Sequence, residues 1–233
     1  MYNFKKVIAL LAVFLIGIEA AQASSWDEDN APPAGSVVNP DYSPAVKHKG
    51  FYLGIEGGGT SLNNQTVGKD GINASLKSKL GYNGGISFGY DYALLRIEEE
   101  INVANNSADT LSITGLPNFN VSGRTTSVNA MTNLILNLRR DTGFGVFAGA
   151  GIGGSGIDYD YQPAKNSGFD KTTSTWKGAF SGQLLAGVAY AFNHAVELDL
   201  EYRYLNAWIQ GGNNFPSKYT TNNVDLGLKF FLS

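Results

Sequence analysis

The feature that most constrains this chain is a side-chain alternation running unbroken from Leu80 to Tyr92, "LGYNGGISFGYDY". Leu80, Tyr82, Ile86, Phe88, Tyr90 and Tyr92 fall on one parity, and Gly81, Asn83, Ser87, Gly89 and Asp91 on the other. A period of two marks an extended strand with one greasy and one polar face. At 13 residues it is about twice the usual strand of a soluble sheet. The device recurs in "AVELDLEYRYL", where Val196, Leu198, Leu200, Tyr202 and Tyr204 oppose Glu197, Asp199, Glu201 and Arg203. Near the C-terminus Val224, Leu226, Leu228, Phe230 and Leu232 oppose Asp225, Gly227 and Lys229.

Eight such stretches can be counted, at 50–62, 80–92, 94–104, 125–138, 144–154, 175–192, 195–207 and 219–232. Short turns separate them at 92–93, 139–143 and 193–194, whereas long polar stretches occupy 63–79, 105–124, 155–174 and 208–218. Short turns at one end and long loops at the other predict an all-β, eight-stranded, antiparallel up-and-down transmembrane barrel. An even count places both termini on the short-turn, periplasmic side. The fourth stretch is ambiguous, because Met131, Leu134, Ile135 and Leu138 are also at helical spacing. Residues 128–138 are thus open between strand and helix, with strand favoured because losing it would separate the termini.

A soluble, lipocalin-like carrier would show the same alternation with the greasy face inward. Residue size separates the two. The interior of an eight-stranded barrel is nearly filled by its side chains. Here the polar face carries glycine, serine, asparagine and a few charges, while the apolar face carries Leu, Ile, Phe and Tyr. Small polar residues suit a narrow wet interior and bulky apolar ones suit lipid. Charged residues make up only 16% of the chain, sparse for a surface facing water on all sides. Tyr90, Tyr92, Phe144, Tyr190, Phe192 and Phe230 next to the short turns, and Tyr82, Trp176, Tyr204, Trp208 and Tyr219 near the long loops, read as two interfacial belts.

The N-terminus agrees. Lys5 and Lys6 precede the apolar run Val7–Ile18, and Ala21-Gln22-Ala23 offers a small-residue cleavage site. This is a secretory signal, 1–23, too short for a membrane helix. Residues 24–49, with four prolines and no periodicity, read as a flexible periplasmic N-terminal segment, and 50–233 as the barrel domain. Cleavage near Ala23 leaves 15 basic and 19 acidic residues, which argues against a nucleic-acid partner. The chain has no cysteine, so an exported fold must be held by packing and by closure of the sheet.

Gly149, Gly151 and Gly154 satisfy G-x-G-x-x-G, but no helical pattern follows and the local period is two. Gly145, Gly149, Gly151 and Gly153 are expected on an inner strand face, leaving room for side chains from the opposite walls, and not around a phosphate. "GFYLGIEGGG" (50–59), "LRIEEEI" (95–101), "FAGAGIGG" (147–154), "ELDLEYRYL" (197–205) and "VDLGLKFFL" (224–232) resemble successive strands of the opacity-type, OmpA-like eight-stranded outer-membrane surface proteins. The resemblance covers about 50–232 and marks architecture. It implies insertion by the barrel-assembly machinery, outer-membrane lipid as surroundings and, for many members, a role as surface antigen. The family usually ends on Phe, whereas Ser233 follows Leu232 here, which implies a less ideal insertion signal.

Matched by parity, Glu56, Glu98, Glu100, Glu197, Asp199 and Glu201 face inward, with Arg96, Lys177, Arg203 and Lys229 as counter-charges. Carboxylates crowded together need cations between them, and arginine's forked donor can bridge two. A lumen plugged by an ion-pair network centred on Arg96 and Arg203 is expected. Glu99, between Ile97 and Ile101, is sent toward lipid by regular alternation, and a bulge or a protein partner would relieve it. No catalytic residue, cofactor or metal site is expected. The two histidines, His48 and His194, fall in the lead-in and in a periplasmic turn, away from the outer mouth where lipid-modifying barrels work. The Asp and Tyr residues of 157–161 lack the spaced oxygens of a calcium loop. The expected function is that of an outer-membrane structural surface protein whose loops contact host or other surface ligands. The alternatives are a narrow porin-like diffusion channel and, behind it, a lipid-modifying barrel enzyme.

Overall fold

The computed structural model describes residues 49–69, 72–113, 115, 118–141, 143–162, 173–209 and 218–232. The signal, 1–23, and nearly all of the 24–49 segment, with His48, lie outside these residues, as does Ser233. Eleven strands follow in order: β1 (Gly50–Leu62), β2 (Gln65–Lys69), β3 (Ile72–Ser78), β4 (Gly81–Asp91), β5 (Leu95–Ile113), β6 (Phe119–Asn120), β7 (Ser122–Asp141), β8 (Phe144–Gln162), β9 (Thr173–Ala191), β10 (Val196–Ile209) and β11 (Lys218–Phe231).

Eight of them form a closed ring. Each of β1, β4, β5, β7, β8, β9, β10 and β11 pairs antiparallel with two neighbours, and the ring closes where β1 meets β11 through Tyr52↔Phe231 to Leu62↔Thr221. Closure satisfies every stave's backbone, which matters because an unpaired N–H or C=O in hydrocarbon costs about several kcal/mol. The remaining strands elaborate the connections: β2 and β3 form a hairpin whose second strand pairs the far end of β5, and β6 pairs β5 there too.

The tight turns have local causes. Tyr92 N–H donates to Leu95 O at 2.8 Å while Ala93 holds a left-handed φ of 77°, its N–H bonded to the Asp91 carboxylate. Between β9 and β10 the Asn193 side chain accepts from the N–H groups of Ala195 and Val196, at 2.8 and 3.0 Å. His194 is exposed in this turn.

The ambiguous fourth stretch is strand. Met131 and Ile135 are buried inside whereas Leu134, which helical spacing would place beside them, points outward and is 52% exposed. The expected loops at 105–124 and 155–174 need correction. β5, β7, β8 and β9 run 19, 20, 19 and 19 residues, well past the roughly 10 that span a bilayer. Since the tight turns cap the other end, the surplus projects outward as paired sheet.

In that projecting part the inner face of the wall becomes apolar, while Trp176 and Trp208 still face outward. Leu62, Ile157, Tyr159, Leu205, Ala207, Ile209 and Tyr219 point inward into one apolar cluster, and Asp158 and Asp160 take the outward positions. Greasy residues turned inward are the arrangement of a soluble barrel. The Asp/Tyr run of 157–161 is part of this wall. Tyr219, expected in the outer belt, shares the parity of inward Asp225 and Lys229 and is wholly buried inside. Tyr82, Trp176, Tyr204 and Trp208 do face out, as do Tyr92, Phe144, Tyr190, Phe192 and Phe230 near the tight turns.

Candidate functional site: the charged lumen

Alternation aims one set of charged side chains into the bore from β1, β4, β5, β10 and β11. Arg203, 2% exposed, is the hub of the middle layer. Its Nη2 donates to Glu56 Oε2 at 2.7 Å and to Glu201 Oε1 at 2.7 Å, its Nη1 to Glu100 Oε1 at 2.6 Å, and its Nε to Glu201 Oε1 at 3.0 Å. Asp225 Oδ2 stands 3.8 Å from Nη1. One guanidinium thus faces four carboxylates, which only a planar fork with five N–H donors can approach.

Arg96, fully buried, organises the periplasmic layer. It donates from Nη2 to Glu197 Oε1 at 2.7 Å and to Asn137 Oδ1 at 3.2 Å, and its Nε lies 3.2 Å from Asp91 Oδ2. Lys229 pairs with Asp199 beside it. Both cations stand over the rings of Tyr52 and Phe147, at 5.7–5.9 Å from the ring centres. Neutral groups link the layers. Tyr52 hydroxyl donates to Glu98 at 2.8 Å, Asn133 donates to Glu98 and to Glu100 at 3.2 and 2.9 Å, and Gln183 donates to Glu100 at 3.0 Å.

Nine of the ten residues singled out from parity therefore meet in two adjoining layers. Lys177 does not: it registers opposite Ile157 in the projecting part of β9, half-buried. Parity had also put Asp91 and Asp225 on the polar face without marking them as network members, and they belong to it. Tyr52, Phe147, Asn133 and Gln183 carry no sequence signal beyond parity, because a bridging role depends on which strands become neighbours.

The inner glycines also serve neighbours more than opposite walls. A Cβ on Gly151 would overlap Asn133 Oδ1 on the adjacent strand, and one on Gly149 would stand 2.9 Å from Ile135 Cγ1 and from Leu185 Cδ1. The missing side chains let the bridging residues lean across.

Glu99 keeps its outward place. The register Phe88↔Glu99↔Thr132 continues without a shift, so no bulge relieves it. Instead Thr132 Oγ1 lies 2.9 and 3.0 Å from the two carboxylate oxygens and donates to them from the neighbouring strand. A hydrogen bond within the wall answers part of the desolvation.

Comparison with known proteins agrees with this architecture. A Rickettsia conorii protein carrying the provisional name of an adhesin is 24% identical over 213 residues, 85% of this chain and 84% of that one. Neisserial surface protein A is 17% identical and superposes with a TM-score of 0.52, over 78% of this chain and 97% of that one. OprG of Pseudomonas aeruginosa is 18% identical with a TM-score of 0.53, over 81% of this chain and all of that one. The family model for the outer membrane protein beta-barrel domain matches residues 8–230. The chain therefore belongs to the outer-membrane β-barrel family and is an eight-stranded barrel of the outer membrane.

Proposed function

We propose that this barrel is a closed, non-catalytic surface scaffold whose extracellular turret makes adhesive contacts with host or other external molecules. The observation that carries the reading is the doubly filled bore. The ion-pair layers occupy the membrane-spanning part and the Leu62–Ile157–Leu205–Tyr219 cluster fills the projecting part, each with buried side chains, Glu56 alone being half-buried. A filled bore argues against diffusion and leaves the outer surface as the working part. Binding residues are commonly displayed on loops held by such a rigid scaffold. The name of the Rickettsia conorii relative supports the same reading.

The test displays the full protein on a non-adherent bacterium and replaces segments 105–124 and 155–174 singly by short turns. Attachment to host cells is expected to rise with the wild-type barrel and to fall to background with at least one replacement. Equal attachment by all forms would refute the reading. Planar-bilayer recording separates the channel alternative: wild type is expected to show no steady conductance, and Arg96→Ala or Arg203→Ala to introduce it.

A further inference from the structure

Glu99 carries a carboxyl into hydrocarbon. It sits midway along the spanning part of β5, half-buried, with Phe88 of β4 and Thr132 of β7 directly across from it. Ile97 and Ile101 flank it along the strand, Ile86 and Tyr90 lie diagonally on β4, and Ala130 and Leu134 diagonally on β7. None of these neighbours carries a charge. Among the described residues Thr132 is its hydrogen-bond donor, and one hydroxyl proton cannot serve both oxygens fully. Lipid chains offer such a group no partner, and an ionisable residue at membrane depth ordinarily marks a contact.

The wall around Glu99 is lopsided. On the β4 side Ile86 and Phe88 stand out from the surface, 60% and 37% exposed. On the β7 side the relief is low, with Ala130, Thr132 and, across from Ala130 on β8, Gly154. A two-fold axis through Glu99 sets β4 of one copy against β7 of the other, so the bulky side of each meets the shallow side of its partner. Such an isologous contact closes at two.

The chemistry selects the same occupant. A carboxylic acid is donor and acceptor at once, so a second carboxyl matches it in hydrocarbon. A basic partner would have to carry its own cation into the same lipid, where Arg or Lys is costlier than Glu. A second copy brings the matching carboxyl at the same depth. We propose that two copies of this barrel pair side by side in the membrane, with their Glu99 carboxyls hydrogen-bonded to each other across a two-fold axis.

The experiment refolds the full chain into phosphatidylcholine vesicles and measures energy transfer between donor- and acceptor-labelled copies. The label is carried by a cysteine replacing His194, exposed in its turn, and is unique because the chain has no cysteine of its own. Transfer well above the level of random collision is expected for the otherwise wild-type barrel. It falls to that level in Glu99→Leu, whereas Glu99→Gln keeps it, because a primary amide is also donor and acceptor. Ala130→Phe, which fills the shallow side, lowers it, and Leu200→Phe, outward on β10 across the barrel, leaves it unchanged. In highly dilute lipid the pair dissociates by mass action, so an unfolding titration there reads only the lipid cost of Glu99. Collision-level transfer in the wild-type barrel, or transfer that survives Glu99→Leu, would overturn the proposal. So would a second protein that copurifies with the wild-type barrel from cell membranes and is lost with Glu99→Gln, since a basic partner needs the charge.

Discussion

Replacing Arg203 by methionine keeps most of the volume and stem while deleting the charge. Arg203 makes contacts of 2.6–2.7 Å to Glu56, Glu100 and Glu201, and stands 3.8 Å from Asp225. After the change Glu100 retains its bonds from Asn133 and Gln183, and Glu56 retains the one from Asn102, but none of the four faces a cation in its layer. Removing one partner from a buried ion pair costs about 3–5 kcal/mol. The cluster deserves the upper half of that range, because the four carboxylates also repel one another at close quarters. Urea titration of the lipid-refolded barrel measures the loss as a shift in midpoint at unchanged slope. The electrostatic origin is checked by adding Glu56→Gln and Glu100→Gln to Arg203→Met. Two of the uncompensated charges are then gone, and the triple variant is expected to recover at least about 2 kcal/mol. The reasoning fails if Arg203→Met lies within about 1 kcal/mol of wild type, or if the triple variant is less stable than the single one.

Three further outcomes follow from the same geometry. Glu99→Leu removes a lipid-facing carboxylate and is expected to stabilise the barrel by about 1 kcal/mol in the same titration, whereas Thr132→Ala destabilises it by a similar amount. Gly151→Ala drives a methyl into Asn133 and is expected to cost about 1–3 kcal/mol, while outward Gly178→Ala, with nothing within 4 Å, stays within about 0.5 kcal/mol. Leu205→Ala, in the apolar cluster of the projecting part, is expected to cost about 2–5 kcal/mol and to raise proteolysis of the displayed turret.

Alternation alone made the staves at 50–62 and 80–92 legible to within a residue of β1 and β4, because a period of two is local and survives any arrangement of neighbours. It also assigned Glu98, Arg203 and Lys229 to the bore, since all residues of one parity share a face. Loop length reads less well. Residues 105–113 and 155–162 are polar enough to pass for loop, yet they continue as paired strand beyond the length a bilayer needs. Tyr219 shares the parity of Asp225 and Lys229 and is buried with them; only its proximity to a long loop had placed it outside.

The sequence by itself determined that the chain forms extended staves with one face for lipid, and which charges share the other face. Only the closed ring decided that Arg203 of β10 meets Glu100 of β5, 103 residues earlier, across the bore, and that Glu56 of β1 joins them. Those outcomes depend on the register and stagger with which eight staves close, and register is a property of pairs of strands. No single strand carries it.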